Sequence, residues 1–148
     1  MFARALLAFL ALPGVVAFLV PWLIRRGEPL RHAGGLVLLG LGGLALGWCV
    51  LDFYVMGKGT LAPWAPPRQL VESGLYRYSR NPMYVAVTLI LLGWAMSYAS
   101  LALLAYAGAV AAAFVCRVVW GEEPWLARTH GERWEAYRKR VPRWILFL

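Results

Sequence analysis

Between Gly74 and Tyr84 the chain reads GLYRYSRNPMY, gathering two arginines, three tyrosines, an asparagine and a proline directly ahead of an apolar run. Asn81 and Pro82 have the character of a helix N-cap and first helical residue, because proline lacks the amide that would be orphaned there. A helix beginning at this point directs its free amides and positive dipole end toward the loop, where an anionic group is favoured. Arg77 and Arg80 add full charges to that partial one. Farther along, Glu122 and Glu123 stand as a pair just past another apolar run. If the two runs form a hairpin, cations, a helix start and two carboxylates meet at one membrane face. Such a set suits a ligand that carries a carboxylate together with cationic or hydroxyl groups, as a free amino-acid moiety or a ribose does. The plainer reading is that the arginines contact headgroups and the glutamates cap a helix.

Four apolar runs have to position these groups. The 148 residues are 61% hydrophobic and 15% charged, with a mean hydropathy of +0.62. A small soluble domain leaves too much of its surface in water to hide such a composition. A bilayer accommodates it. The expectation is therefore one all-α integral membrane domain over residues 1–148, with four transmembrane helices and a C-terminal amphipathic helical segment. The net charge of +8 and pI near 10.1 would suggest nucleic acid in a soluble domain. Here the basic residues flank apolar runs, where they face anionic headgroups, and no nucleic-acid motif is present. Cys49 and Cys116 lie inside apolar runs, and no spacing of Cys and His resembles a metal site.

The spans are expected at about residues 5–24, 33–53, 82–98 and 101–120. The first also resembles a signal peptide, but it is long for an h-region and Pro21-Trp22 follows where cleavage would fall. In the second, Gly40, Gly43 and Gly47 share a helical face on which a neighbouring backbone can approach closely. Asp52 ends this run at the interface, with Arg117 as an expected partner. From Met56 to Ser73 the chain reads as irregular, punctuated by Gly57, Gly59, Pro63, Pro66 and Pro67. The third and fourth runs should form an antiparallel hairpin about the turn Ser97–Ser100, with Ala105, Ala109 and Ala113 as a close-packing face. In the tail, residues 121–148, Glu122, Glu123 and Pro124 look like a new helix start, Gly131 a break, and Glu132 a second start. Trp134, Tyr137 and Val141 share one face and basic residues the rest, the pattern of a helix lying on a membrane surface.

With four spans, both termini, the long second loop and the tail fall on one side. That side carries twelve of the fifteen basic residues. The positive-inside rule puts it in the cytoplasm, at an inner or plasma membrane.

The string G-x-Y-R-x-x-R-N-P-M-Y, a helical hairpin, E-E-P-x-L, then H-G-E-x-W-x-x-Y-R and V-P-R resembles the isoprenylcysteine carboxyl methyltransferase and phospholipid methyltransferase superfamily, over roughly Gly57 to Arg143. It looks most like bacterial and archaeal members with the RNPMY variant. The resemblance implies an integral membrane enzyme moving a methyl group from S-adenosylmethionine to a lipid-like or hydrophobic acceptor, a prenylcysteine-like carboxylate or thiol. It further implies that Arg80, Asn81, Pro82, Tyr84, Glu122 and Glu123 line the cofactor site, joined by Tyr76, His130 and Tyr137, with the tail closing the pocket. Arg138 resembles an arginine that holds an acidic acceptor group. Asn81 stands where the family often has His, Ala86 where Gly is common, and His130 and Trp134 where Phe and Tyr are frequent. Three other readings compete. One is amine methylation of a phospholipid headgroup. Another is a small multidrug-type transporter, which would want an acid deep in a span. The last is a non-catalytic membrane subunit that keeps the fold.

Overall fold

The structure, a computed structural model, describes residues 10–55 and 70–145. Most of the long second loop, with Trp64, and the start of the first run therefore lie outside the described residues. Helix α1 winds in wide, π-type turns over Leu10–Leu19 and in α turns over Val20–Ile24. Helix α2 covers Gly34–Val55, a 3-10 turn Gly74–Arg77, α3 Pro82–Tyr98 and α4 Leu101–Arg117. A wide turn at Val118–Glu122 leads directly into α5, Glu123–His130, and α6 covers Glu132–Arg140. The described residues contain no strand.

Two stretches are long and apolar enough to cross a bilayer, Gly34–Asp52 and the continuous helical run Leu101–His130. Only 22% and 17% of their apolar windows are buried within the protein, unlike the core helices of a soluble domain. Leu44, Leu101 and Trp120 project outward at 75%, 78% and 77% exposure, as side chains facing lipid would. The expectation of four full-length spans is not met: Pro13–Ile24 and Pro82–Tyr98 are shorter apolar helices. For α3 the cause is local. Pro82 sets its start, and Ala99, in the left-handed region at φ 47°, ends it. Ser100 then caps α4, its hydroxyl accepting from the Leu103 amide. The hairpin thus turns where the sequence places it.

Helices α2 and α3 pack antiparallel, but not on the expected glycines. A Cβ on Gly40, Gly43 or Gly47 would meet nothing within 4 Å. The contact face is instead Gly35, Gly42, Leu46 and Cys49, all buried and spaced at near-heptad intervals. A Cβ on Gly35 would stand 2.5 Å from the Ser97 amide nitrogen and 2.6 Å from the Gly93 carbonyl. Ala105, Ala109 and Ala113 likewise face outward, while Leu103 and Ala107 are buried. In both helices the small-residue repeat marks a face without saying whether protein or lipid covers it.

Helix α1 is fastened through backbone. Pro21 has no N–H to offer the carbonyls one turn back. Trp94 donates instead to the Ala17 carbonyl at 2.9 Å, and Tyr106 to that of Val16 at 3.0 Å. At the same C-terminal end of α3, the Arg31 and His32 amides both donate to the Ser97 carbonyl.

The tail departs from expectation in two ways. No new helix starts at Glu122, because the wide turn carries the helix across Pro124, whose missing amide would otherwise break an α turn. The apolar face of α6 does not lie on the membrane surface either. Trp134, Tyr137 and Val141 are buried against Leu70, Leu126 and Ala127 of the same chain. An amphipathic pattern demands an apolar partner, and here the protein supplies it. Gly131 does separate α5 from α6, at φ 49°, a conformation costly for any side-chain-bearing residue.

Candidate functional site

The polar residues converge where α3 begins, α4 passes into α5, and the chain leaves α6. Glu123 is the hub. Its carboxylate accepts from Arg80 Nη1 at 2.8 Å and, on both oxygens, from Arg143 Nε and Nη2 at 2.8 Å each. The Arg80 and Glu123 side chains keep only 8% and 14% of their surface exposed. Burial pulls the Arg80 pKa below its ordinary value, while Glu123 acts in the opposite sense. The guanidinium also sits over the Trp134 ring, 5.4 Å from its centroid. Its Nε is buried with no hydrogen-bond acceptor among the described residues.

A second knot lies alongside. The Tyr84 hydroxyl donates to Glu122, and Arg117 Nε reaches both Glu122 Oε1 at 2.8 Å and the Tyr84 oxygen at 3.0 Å. Tyr84 stacks on Phe114 at 4.4 Å between centroids, fixing the ring. Arg117 is thus committed to Glu122, and the pairing expected with Asp52 does not form. Helix spacing explains this, since Arg117 and Glu122 lie about one wide turn apart.

The chain beyond α6 completes the cluster. The Pro142 carbonyl accepts from the Arg80 amide at 2.9 Å, and the Arg143 carbonyl accepts from Asn81 Nδ2 at 3.0 Å and the Ser79 hydroxyl at 3.3 Å. Asn81 occupies the N-cap position but makes no side-chain cap; its Nδ2 donates to this strap instead. Pro82 opens the helix as expected. Neither glutamate caps a helix: each lies within a continuous helical run and binds arginine.

Tyr76 and Tyr137 form a buried link beneath the cluster. The Tyr137 hydroxyl donates to the Tyr76 carbonyl at 2.7 Å. Burial pushes both phenols well above their ordinary pKa. Both stay protonated at neutral pH, and the Tyr137 hydroxyl serves as a donor. Tyr137→Phe removes this donor from a buried carbonyl and is expected to cost about 1–3 kcal/mol, read by thermal unfolding in detergent. Unchanged stability would deny the link a structural role.

His130 ends α5 with its ring edge-on to Trp125, and its Nε2 is buried without a hydrogen-bond partner among the described residues. Arg138 is not brought into the cluster. It is half-exposed and pairs with Glu135 at 2.9 Å on the outer face of α6. Beside it, Arg133 and Arg140 both clamp Glu72, tying α6 to the segment before the 3-10 turn. Arg143 and Arg117 enter the site without having been expected there. The V-P-R signature contains Arg143, but a bond to a carboxylate twenty residues back leaves no local pattern.

The structure therefore brings together Arg80, Asn81, Pro82, Tyr84, Glu122 and Glu123, with Tyr76 and Tyr137 beneath them. A family model described as phospholipid methyltransferase matches residues 30–133. This match takes in α2, which carries none of the motifs read from the sequence, and stops short of Tyr137 and Arg143. No curated protein and no solved structure matches the chain.

Proposed function

The chain belongs to the phospholipid methyltransferase family, and from that premise we propose that it moves a methyl group from S-adenosylmethionine to a membrane-dissolved acceptor at the cytoplasmic edge of a four-helix membrane domain. The family makes it a membrane-associated methyltransferase of phospholipids or related substrates. The donor, the acceptor and the sidedness are our reading. The observation that carries it is the meeting of Arg80, Arg143, Tyr84 and the two glutamates on contiguous helix ends.

These groups suit the donor's chemistry. The unpartnered Arg80 Nε is a ready hydrogen-bond donor for an amino-acid carboxylate. Glu122 and Glu123 offer acceptors to an ammonium or to ribose hydroxyls, and the Asn81 side-chain oxygen accepts no hydrogen bond among the described residues. Bound there, S-adenosylmethionine would supply a sulfonium methyl that an aligned nucleophile could accept, with a neutral thioether as the leaving group. The protein's work is then to position and to exclude water. The Pro142–Arg143 strap covers the start of α3, and the Tyr84–Phe114 stack walls the span side. Helices α1 and α3, though short, serve as spans in this reading, and the basic-residue count sets both termini and the site in the cytoplasm. The acceptor enters sideways from the bilayer, because the cluster lies where apolar helix ends. An acidic or thiol head would look to an arginine such as Arg138; an ammonium head would look to a carboxylate.

Calorimetry of the detergent-purified protein with S-adenosylmethionine tests the proposal. Saturable heat, together with a raised unfolding midpoint, is the expected result. Neither heat nor shift would favour a non-catalytic membrane subunit. The transporter reading is disfavoured because Glu122 and Glu123 are both engaged with arginines at the helix ends.

A further inference from the structure

The end of the bundle away from the cluster carries charge of a different kind. Arg80, Arg117, Arg133, Arg138, Arg140 and Arg143 pair with carboxylates, all at the end where α3 begins. Arg25, Arg26 and Arg31 lie in the connection between α1 and α2, at the end where α3 stops, and form no ion pair among the described residues. Glu28 is the single acid of that connection. Arg25 lies over the Tyr98 ring, 5.2 Å from its centroid, and its Nε is buried without an acceptor among the described residues. Arg31 and His32, both exposed, are held by their amides on the Ser97 carbonyl. One cation would balance the negative dipole end of α3. Here α2 and α4 both begin at the same face, with no acid in either first turn, so their positive ends add to the surplus.

Beside these charges α2, α3 and α4 do not close on one another. They leave a groove of about 410 Å³, open along one side and lined by Leu38, Leu92, Ala95, Met96, Leu101 and Leu104. Its mouth is tied to the basic connection. A Cβ on Gly34, three residues after Arg31, would stand 2.8 Å from the Met96 Cε. The volume falls within the range of ligand pockets, ~300–1,000 Å³, but the lining side chains offer no polar group to orient a compact polar ligand. An apolar channel with cations at one end matches an apolar chain with an anionic head. Bilayer geometry favours the same occupant. The 17 residues of α3 rise only about 25 Å, short of ~30 Å of hydrocarbon, so headgroups are drawn inward toward its ends.

Going beyond the methyltransferase reading, we propose that this groove is a resident-lipid site. The acyl chain of an anionic glycerophospholipid, from the leaflet opposite the cluster, lies along Leu38, Met96 and Leu104. Arg31 holds its phosphate, and Arg25 adds its charge from the other flank of the α3 terminus. This lipid is not a methyl acceptor, because nearly the full length of α3 separates its head from Glu123. It fills the space that three helices leave between them and offsets the unpaired charge of the connection.

The test uses the full chain in detergent, read by the unfolding midpoint and by native mass spectrometry. Phosphatidylglycerol should raise the wild-type midpoint and stay bound, more than phosphatidylcholine with the same chains. Inorganic phosphate, which lacks the chain, should do neither at equal concentration. Arg31→Gln should weaken the apparent affinity for phosphatidylglycerol about fivefold, and Arg25→Gln combined with it about thirtyfold, the loss expected of one and two basic side chains facing an anionic head. Leu104→Trp, which occupies the groove without touching a charge, should weaken it as well. Lys139→Gln, an exposed change at the other end of the bundle, should not. Arg31 is exposed and its only bond among the described residues is through backbone, so that variant keeps the test decisive if the double variant does not fold. Equal stabilisation by the two lipids, or phosphate as effective as lipid, overturns the site. So does an affinity unchanged in Arg31→Gln and Leu104→Trp, or lowered equally by Lys139→Gln. Affinity for S-adenosylmethionine should be the same in every variant. Wild-type protein that binds no S-adenosylmethionine defeats the methyltransferase reading instead, and the lipid comparison still judges the groove.

Discussion

Glu123→Gln is expected to lower affinity for S-adenosylmethionine by about tenfold or more, or ~1.4 kcal/mol, while leaving membrane insertion intact. The reason is geometric as well as electrostatic. Glu123 neutralises Arg80 and clasps Arg143 with both oxygens. An amide keeps the shape but turns one acceptor into a donor and leaves two guanidiniums facing each other. Breaking a well-buried pair costs about 3–5 kcal/mol. Arg143 retains 34% of its side-chain surface, so solvent screens part of that, and a stability loss of about 1–3 kcal/mol is the better expectation. Glu122→Gln makes the contrast: its partner Arg117 is 45% exposed, and loss of that pair should cost no more than about 1 kcal/mol. Calorimetric titration reads affinity, and thermal unfolding reads stability. Equal cofactor affinity in wild type and Glu123→Gln would reduce the hub to a structural latch.

The second large effect lies in the packing of α2 on α3. Gly93→Leu should destabilise the protein by about 3 kcal/mol or more, the upper end of overpacking costs. Even a Cβ at this position would sit 2.8 Å from the Leu39 amide nitrogen and 2.9 Å from the Gly35 carbonyl. Backbone cannot step aside as a flexible side chain can, so the helices would have to separate. Gly40→Leu is the matched control. It meets open space and should leave the unfolding midpoint unchanged or slightly raised, because glycine is a poor helix former. If the two variants behaved alike, the helices would not be in the register described.

That control also shows what the sequence made legible. The start of α3 at Pro82, the turn at Ser97–Ser100 and the break at Gly131 follow from local chemistry, and all three are where the residues place them. The convergence of Arg80 with the glutamate pair followed from hairpin geometry, whereas Tyr84 was indicated only by the family resemblance and Arg77, expected alongside, stays exposed. The packing glycines did not, because a small-residue stripe has no address: Gly40, Gly43 and Gly47 look as suitable as Gly35 and Gly42 until the partner is in place. Trp134 and Tyr137 misled for a related reason, since an apolar stripe does not distinguish lipid from protein. The place of Arg143 was hidden because it depends on contacts between distant segments. Charge pattern suggested Arg117 for Asp52, but the wide turn after α4 gave that arginine a nearer acid.

The strap at Pro142–Arg143 has a bearing on biosynthesis. Helices α2 and α4 are long and apolar enough to settle in a bilayer as soon as each is made, yet Glu123 keeps half its clasp missing until residue 143 has left the ribosome. A nascent chain therefore carries its glutamate hub half-assembled until the strap docks.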